Sequence, residues 1–135
     1  MKTKIIIVFA VFTTFFSCKN EVKEEVKPIV ENSKATEVQL IQFHTEHRCV
    51  TCNNIEKLSK ETIKGNDAIS FVLYNVDDEK NAKLAEQFEA TGTSLYLYNS
   101  KTKTIKDLTE MAFMYAKNEG DKFKTELQKE ISEFK

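Results

Sequence analysis

Two cysteines, Cys49 and Cys52, stand in a C-x-x-C pattern with both histidines of the chain, His44 and His47, just ahead of them. Cys18 is the remaining cysteine and sits far upstream. Two thiols spaced by two residues do one of three things. They form a reversible disulfide through thiol–disulfide exchange, they ligate a soft metal, or they close a purely structural loop. The pair follows an apolar run, Val38 to Phe43, and precedes a helical pattern, Val50 to Lys64. A thiol at a helix N-terminus meets unsatisfied backbone N–H groups and the positive end of the macrodipole, and both favour the thiolate. Cys49 is therefore expected to be the nucleophile. Cys52, one turn on and more enclosed, is the expected resolving thiol. Arg48 and His47 add positive charge beside Cys49 and are the candidates for tuning its acidity.

The rival chemistry uses His44, His47, Cys49 and Cys52 together as H-x-x-H-x-C-x-x-C. Thiolate and imidazole suit zinc or copper. Strand alternation weighs against His44 reaching the same point as the cysteines. The redox reading requires no cofactor. Glu46 is an acid close enough in sequence to act as a proton relay, and Asp77-Asp78 read as a turn or a helix cap.

These residues need elements to hold them. Val38 to Phe43 has strand length. Ile55, Leu58 and Ile63 fall at helical spacing, with Gly65 as a stop. Ile69 to Val76 is almost continuously apolar, as in a strand buried on both faces. Asn81 to Ala90 places Leu84, Ala85 and Phe88 on one helical face, with Gly92 as its terminator. Ser94 to Tyr98 and Thr104 to Leu108 form a hairpin. Met111 to Ala116 is apolar but short. Asp121 to Phe134 carries Phe123, Leu127, Ile131 and Phe134 on one stripe. The expected fold is an α/β sandwich: a mixed sheet of about four strands with helices on both faces.

The start of the chain reads differently. Lys2 and Lys4 precede an apolar run, Ile5 to Phe16, that ends at Ser17-Cys18. This is the pattern of a secretory signal over residues 1–17. A cysteine at the cut resembles a bacterial lipoprotein signal, which implies acylation of Cys18. Residues 18–36 are rich in Glu, Lys and Val, hold the single proline, Pro28, and lack aromatics, so they read as a flexible tether. Residues 37–135 are long enough for one core without disulfide staples. The expected setting is extracytoplasmic: a lipid anchor in a bacterial membrane, at the periplasmic face or cell surface. Lys and Arg total 20 against 21 for Asp and Glu, so nothing points to nucleic acid. The domain is read as a monomer that meets a redox partner protein.

The element order, with C-x-x-C at the first strand–helix junction, resembles the thioredoxin fold. More narrowly, His47-Arg48-Cys49-Val50-Thr51-Cys52, Gly92-Thr93-Ser94-Leu95 and Leu108 to Ala116 resemble the small thioredoxin-like proteins of the ArsF family. That family's label implies arsenic-related genes or nitro-compound reduction. The resemblance implies that Ser94 faces the cysteines, where thioredoxins carry a cis-proline. It also implies that Gln42 stands where thioredoxins carry a buried acid. Arg48 replaces their tryptophan, and Val50-Thr51 replaces their Gly-Pro.

Overall fold

The computed structural model describes residues 36–134. The expected secretory signal, the acylated Cys18 and almost all of the tether lie outside the described residues. Strand β1 (Val38–His44) occupies an inner position of a four-stranded sheet ordered β2-β1-β3-β4. It pairs in parallel with β2 (Ile69–Asn75), matching Leu40 with Phe71 and Phe43 with Tyr74. It pairs antiparallel with β3 (Ser94–Asn99), matching Gln42 with Leu95 and Phe43 with Ser94. The short β4 (Ile105–Asp107) completes the sheet against β3. Helix α1 (Val50–Ile63) links β1 to β2, and a crossover containing α2 (Ala82–Gln87) links β2 to β3. Two helices, α3 (Thr109–Ala116) and α4 (Gly120–Glu133), close the chain. This topology is that of a thioredoxin-like α/β sandwich, as the sequence leads one to expect.

Side-chain alternation on β1 divides the core into two layers. Leu40 joins Ile55, Leu95, Leu97, Ala112, Phe123 and Leu127 beneath α1, α3 and α4. Ile41 and Phe43 join Val72, Tyr74, Leu84, Phe88, Tyr96 and Tyr98 beneath α2. Phe43 and Phe88 centre an aromatic cluster, with ring centroids 5.5 Å apart and tilted or edge-on contacts to Tyr74, Tyr96 and Tyr98. Both faces of β1 and β3 are covered, and β1 buries Gln39 and Gln42 along with its apolar residues. Among the described residues no helix is long and apolar enough to cross a membrane.

Three local expectations change. First, β2 is an edge strand. Ile69, Val72 and Tyr74 are buried, but Phe71 and Leu73 are only half-buried. Lys60 lies over the Phe71 ring, 5.2 Å from its centroid. Second, the second helix is preceded by a 3₁₀ turn (Glu79–Asn81) and stops before Gly92. The residue in the left-handed conformation is Glu89, at φ 54. The Ala90 N–H donates to the Ala85 carbonyl at 2.8 Å, which closes the helix while Phe88 and Ala90 turn into the core. Third, the Met111 to Ala116 stretch belongs to helix α3. Asp107 Oδ1 accepts the Thr109 N–H at 2.8 Å at its start. Ala112 and Ala116, one turn apart, are its buried residues, while Phe113 and Met114 are exposed. Leu108, Met111 and Tyr115 pack inward beside these alanines, while the apolar residues on the exposed face blur the helical period in the sequence.

Candidate functional site

The site forms where β1 ends and α1 begins. The Val76 N–H donates to the His44 carbonyl at 2.9 Å. The Glu46 N–H donates to Asp77 Oδ2 at 2.7 Å, tying the loop ahead of the cysteines to the segment after β2. Asp77 therefore anchors this loop. Thr45 Oγ1 donates to the His47 carbonyl at 2.9 Å, a short-range contact that turns the loop into the helix.

Cys49 is the N-cap of α1. Its backbone is extended (φ −79, ψ 165) and its Sγ accepts the Cys52 N–H at 3.2 Å. Ser, Thr, Asp or Asn usually provide that acceptor. Here a sulfur does so, which aims a free helix-terminal N–H at the atom that would become a thiolate on reduction. Cys49 is exposed, whereas Cys52 is 6% exposed. The two sulfurs are joined in a disulfide, with Cα atoms 5.1 Å apart. An exposed outer sulfur bonded to an enclosed inner one leaves only the outer one open to attack from solution.

Two polar side chains from other parts of the chain meet Cys52. Gln42, on the α1 side of β1, is 0% exposed and its Nε2 donates to the Cys52 carbonyl at 3.0 Å. Thr93, just before β3, donates its hydroxyl to Cys52 Sγ at 3.4 Å. The hydroxyl at the pair is thus that of Thr93, one residue ahead of Ser94. Ser94 shares the α2 face of β3 with Tyr96 and Tyr98 by alternation, and its own hydroxyl donates to the Gly92 carbonyl at 3.3 Å.

Arg48, directly before Cys49, has an acid partner of its own. Its guanidinium pairs with Glu56 at 2.6 Å, and Lys60 binds the same carboxylate. Burial pushes the Glu56 carboxyl up, but hydrogen bonds and charge from Lys60 and Arg48 outweigh it and hold the group below its ordinary value. The positive charge expected beside the motif is therefore shared along the first two turns of α1. Glu56 is the participant that motif spacing gave no reason to single out.

His47 is exposed. His44 ends β1, and its Nδ1 lies 2.9 Å from the Thr45 carbonyl, which fixes the ring locally. Among the described residues, no group of three or more His, Cys, Asp or Glu side chains is gathered to hold a metal ion. Val50, between the cysteines, is 76% exposed and forms an apolar rim beside Cys49.

No family model matches the chain, and no curated protein matches it. Two solved structures share part of its architecture. One, described as the structure of a malarial protein, is 21% identical, with a TM-score of 0.42 over 58% of this chain and 94% of that one. The other is human ERp44 in a zinc-bound form, 11% identical, with a TM-score of 0.39 over 63% of this chain. The match spans about a quarter of ERp44, 27% of its length. The fold assignment rests on strand order and register, described above, and not on these two likenesses.

Proposed function

We propose that this chain is a thiol–disulfide redox protein, anchored to a bacterial membrane through Cys18 and acting outside the cytoplasm. The observation that carries the redox reading is the asymmetry of the disulfide: Cys49 is exposed at the helix cap and Cys52 is enclosed. Cys49 is the nucleophile and the attacked sulfur, and Cys52 resolves. A mixed disulfide forms on Cys49, Cys52 attacks it, and the partner thiol leaves. His47 and the Arg48–Glu56 pair are the polar groups that flank the motif. The working form is a monomer that meets a partner protein across the Val50 rim.

The anchoring part of the reading is supported by the run that ends at Ser17-Cys18 and by the tether composition. Two or more acyl chains suffice for stable membrane attachment. The narrower likeness to the ArsF family directs the search for a substrate toward arsenic compounds and nitro compounds.

One experiment with two arms tests both parts. The full chain is made with Cys49→Ser or Cys52→Ser and challenged with a small aromatic disulfide. Cys52→Ser is expected to trap a stable mixed disulfide at Cys49, while Cys49→Ser reacts far more slowly. Equal trapping at both positions refutes the assigned roles. In the second arm, Cys18→Ser is expected to release the protein from membranes or to block its processing. Unchanged membrane association and mobility refute lipidation at this position.

A further inference from the structure

Three polar contacts converge on the cysteine pair, two of them on the sulfurs themselves and one on the Cys52 backbone. The Cys52 N–H points at Cys49 Sγ at 3.2 Å. A thiolate accepts that bond roughly twice as strongly as a neutral sulfur does. The Thr93 hydroxyl points at Cys52 Sγ at 3.4 Å, and a reduced sulfur is the better acceptor here as well. Gln42 is the third. Its amide is held against Cys52 by the bond from Nε2 to the Cys52 carbonyl at 3.0 Å, yet Oε1 is buried with no hydrogen-bond partner. A fully buried side-chain carbonyl of this kind ordinarily has a hydrogen-bond partner. In the disulfide form Cys52 has no side-chain proton to offer. Reduction creates an S–H donor on the very residue that holds the amide in place.

We propose that the Cys49–Cys52 couple is poised to accept electrons, so that the protein is a disulfide donor whose substrates are thiols. The proposal rests on the redox reading above and sets its direction. A substrate thiolate attacks Cys49 Sγ, the Cys49–Cys52 bond breaks, and Cys52 leaves with the electron pair and takes a proton from solvent. A second substrate thiolate then attacks the first substrate sulfur, and Cys49 leaves as a thiolate held by the Cys52 N–H. Two substrate thiols become one disulfide, one protein disulfide becomes a thiolate and a thiol, and one net proton is released. A Cys52 S–H bond to the Gln42 oxygen, present only in the open form, favours that form by a factor of up to about ten. Gln42 and Thr93 are positioning residues in this scheme, since they act through Cys52.

The test is the equilibrium between the full-length chain and glutathione, with Cys18→Ser as the common background so that only the pair titrates. The dithiol fraction is read by alkylation and mass at a series of glutathione ratios. Gln42→Leu is expected to shift the constant toward the protein disulfide by roughly tenfold, and Thr93→Val by roughly threefold. A residue that merely packs would destabilise both forms alike and leave the constant unmoved. An unchanged constant in both variants, or a shift toward the dithiol, overturns the proposal. So does a background protein that keeps its disulfide in excess reduced glutathione while exchanging freely with a stronger dithiol. If Gln42→Leu fails to fold, the sign of the Thr93→Val shift decides. A folded protein whose pair exchanges with no thiol at all refutes the redox reading itself, and that result is distinct from a reversible couple poised the other way.

Discussion

Reduced Cys49 should be ionised far more than an ordinary thiol at pH 7, and removing charge along α1 should move it in opposite directions. The helix terminus contributes about 0.3–1 kcal/mol at an exposed site. The Cys52 N–H at 3.2 Å becomes a bond to a charged group, worth about 1.5–3 kcal/mol. Taking about 2 kcal/mol as the low end of the sum, the thiolate-to-thiol ratio rises about 30-fold. A free thiol is a few per cent ionised at pH 7, so Cys49 should be near half ionised. The nearby charges are worth less. Glu56 lies seven residues beyond Cys49, which is roughly 10 Å along a helix. In water a unit charge at that distance contributes about 0.4 kcal/mol, a factor of about two. Arg48 and Lys60 share the single Glu56 carboxylate, so Glu56→Gln should raise the alkylation rate about twofold. Arg48→Ala should lower it about twofold. The assay is iodoacetamide alkylation against pH in a Cys52→Ala background at low ionic strength, because a Debye length of about 8 Å at physiological salt would mask both changes. An alkylation profile for Cys49 matching that of free cysteine refutes the helix-cap argument. Movement of both charge variants in the same direction refutes the electrostatic part.

Phe123 is fully buried on the inner face of α4, and Phe123→Ala should cost about 3–5 kcal/mol, read as a fall in the urea midpoint at unchanged slope. Glu56 is held below its ordinary carboxylate value of 4.5 in the folded state, so its contribution is complete above that value and is lost as pH falls through the lower folded one. Glu56→Gln should therefore flatten part of the acid limb of stability, and an unaltered limb in urea titrations from pH 6 to pH 3 would contradict this. If the cysteines serve zinc or copper, the reduced chain should retain about one equivalent through dialysis with proton release, and His47→Ala should weaken uptake at least about tenfold. Retention of the metal by a His44→Ala, His47→Ala double variant would remove the histidines from that alternative.

The chemistry of the motif and the order of elements were legible in the residues because both depend on local spacing. A C-x-x-C segment between an apolar strand and an apolar-striped helix has one simple placement, with its first sulfur at the helix cap. The apolar runs likewise announced the strands, although the most continuous of them, Ile69 to Val76, became the edge strand β2 rather than an inner one. What the chain order does not carry is contact across long separations. Gln42 and Cys52 are ten residues apart, and Thr93 and Cys52 are 41 apart. Only sheet register decides that the Thr93 hydroxyl reaches the sulfur while that of Ser94 turns to Gly92. The pairing of Arg48 with Glu56 is set by packing at the start of α1, which redirects a charge that spacing alone assigns to Cys49. Helix α3 read only as a short apolar stretch because exposed Phe113 and Met114 sit opposite its inward residues and leave no clear hydrophobic period. Helix α2 ends at Gln87, and Glu89 rather than Gly92 takes the left-handed conformation as Phe88 and Ala90 turn into the core. Local periodicity thus determined where the two sulfurs sit, and tertiary packing determined what surrounds them.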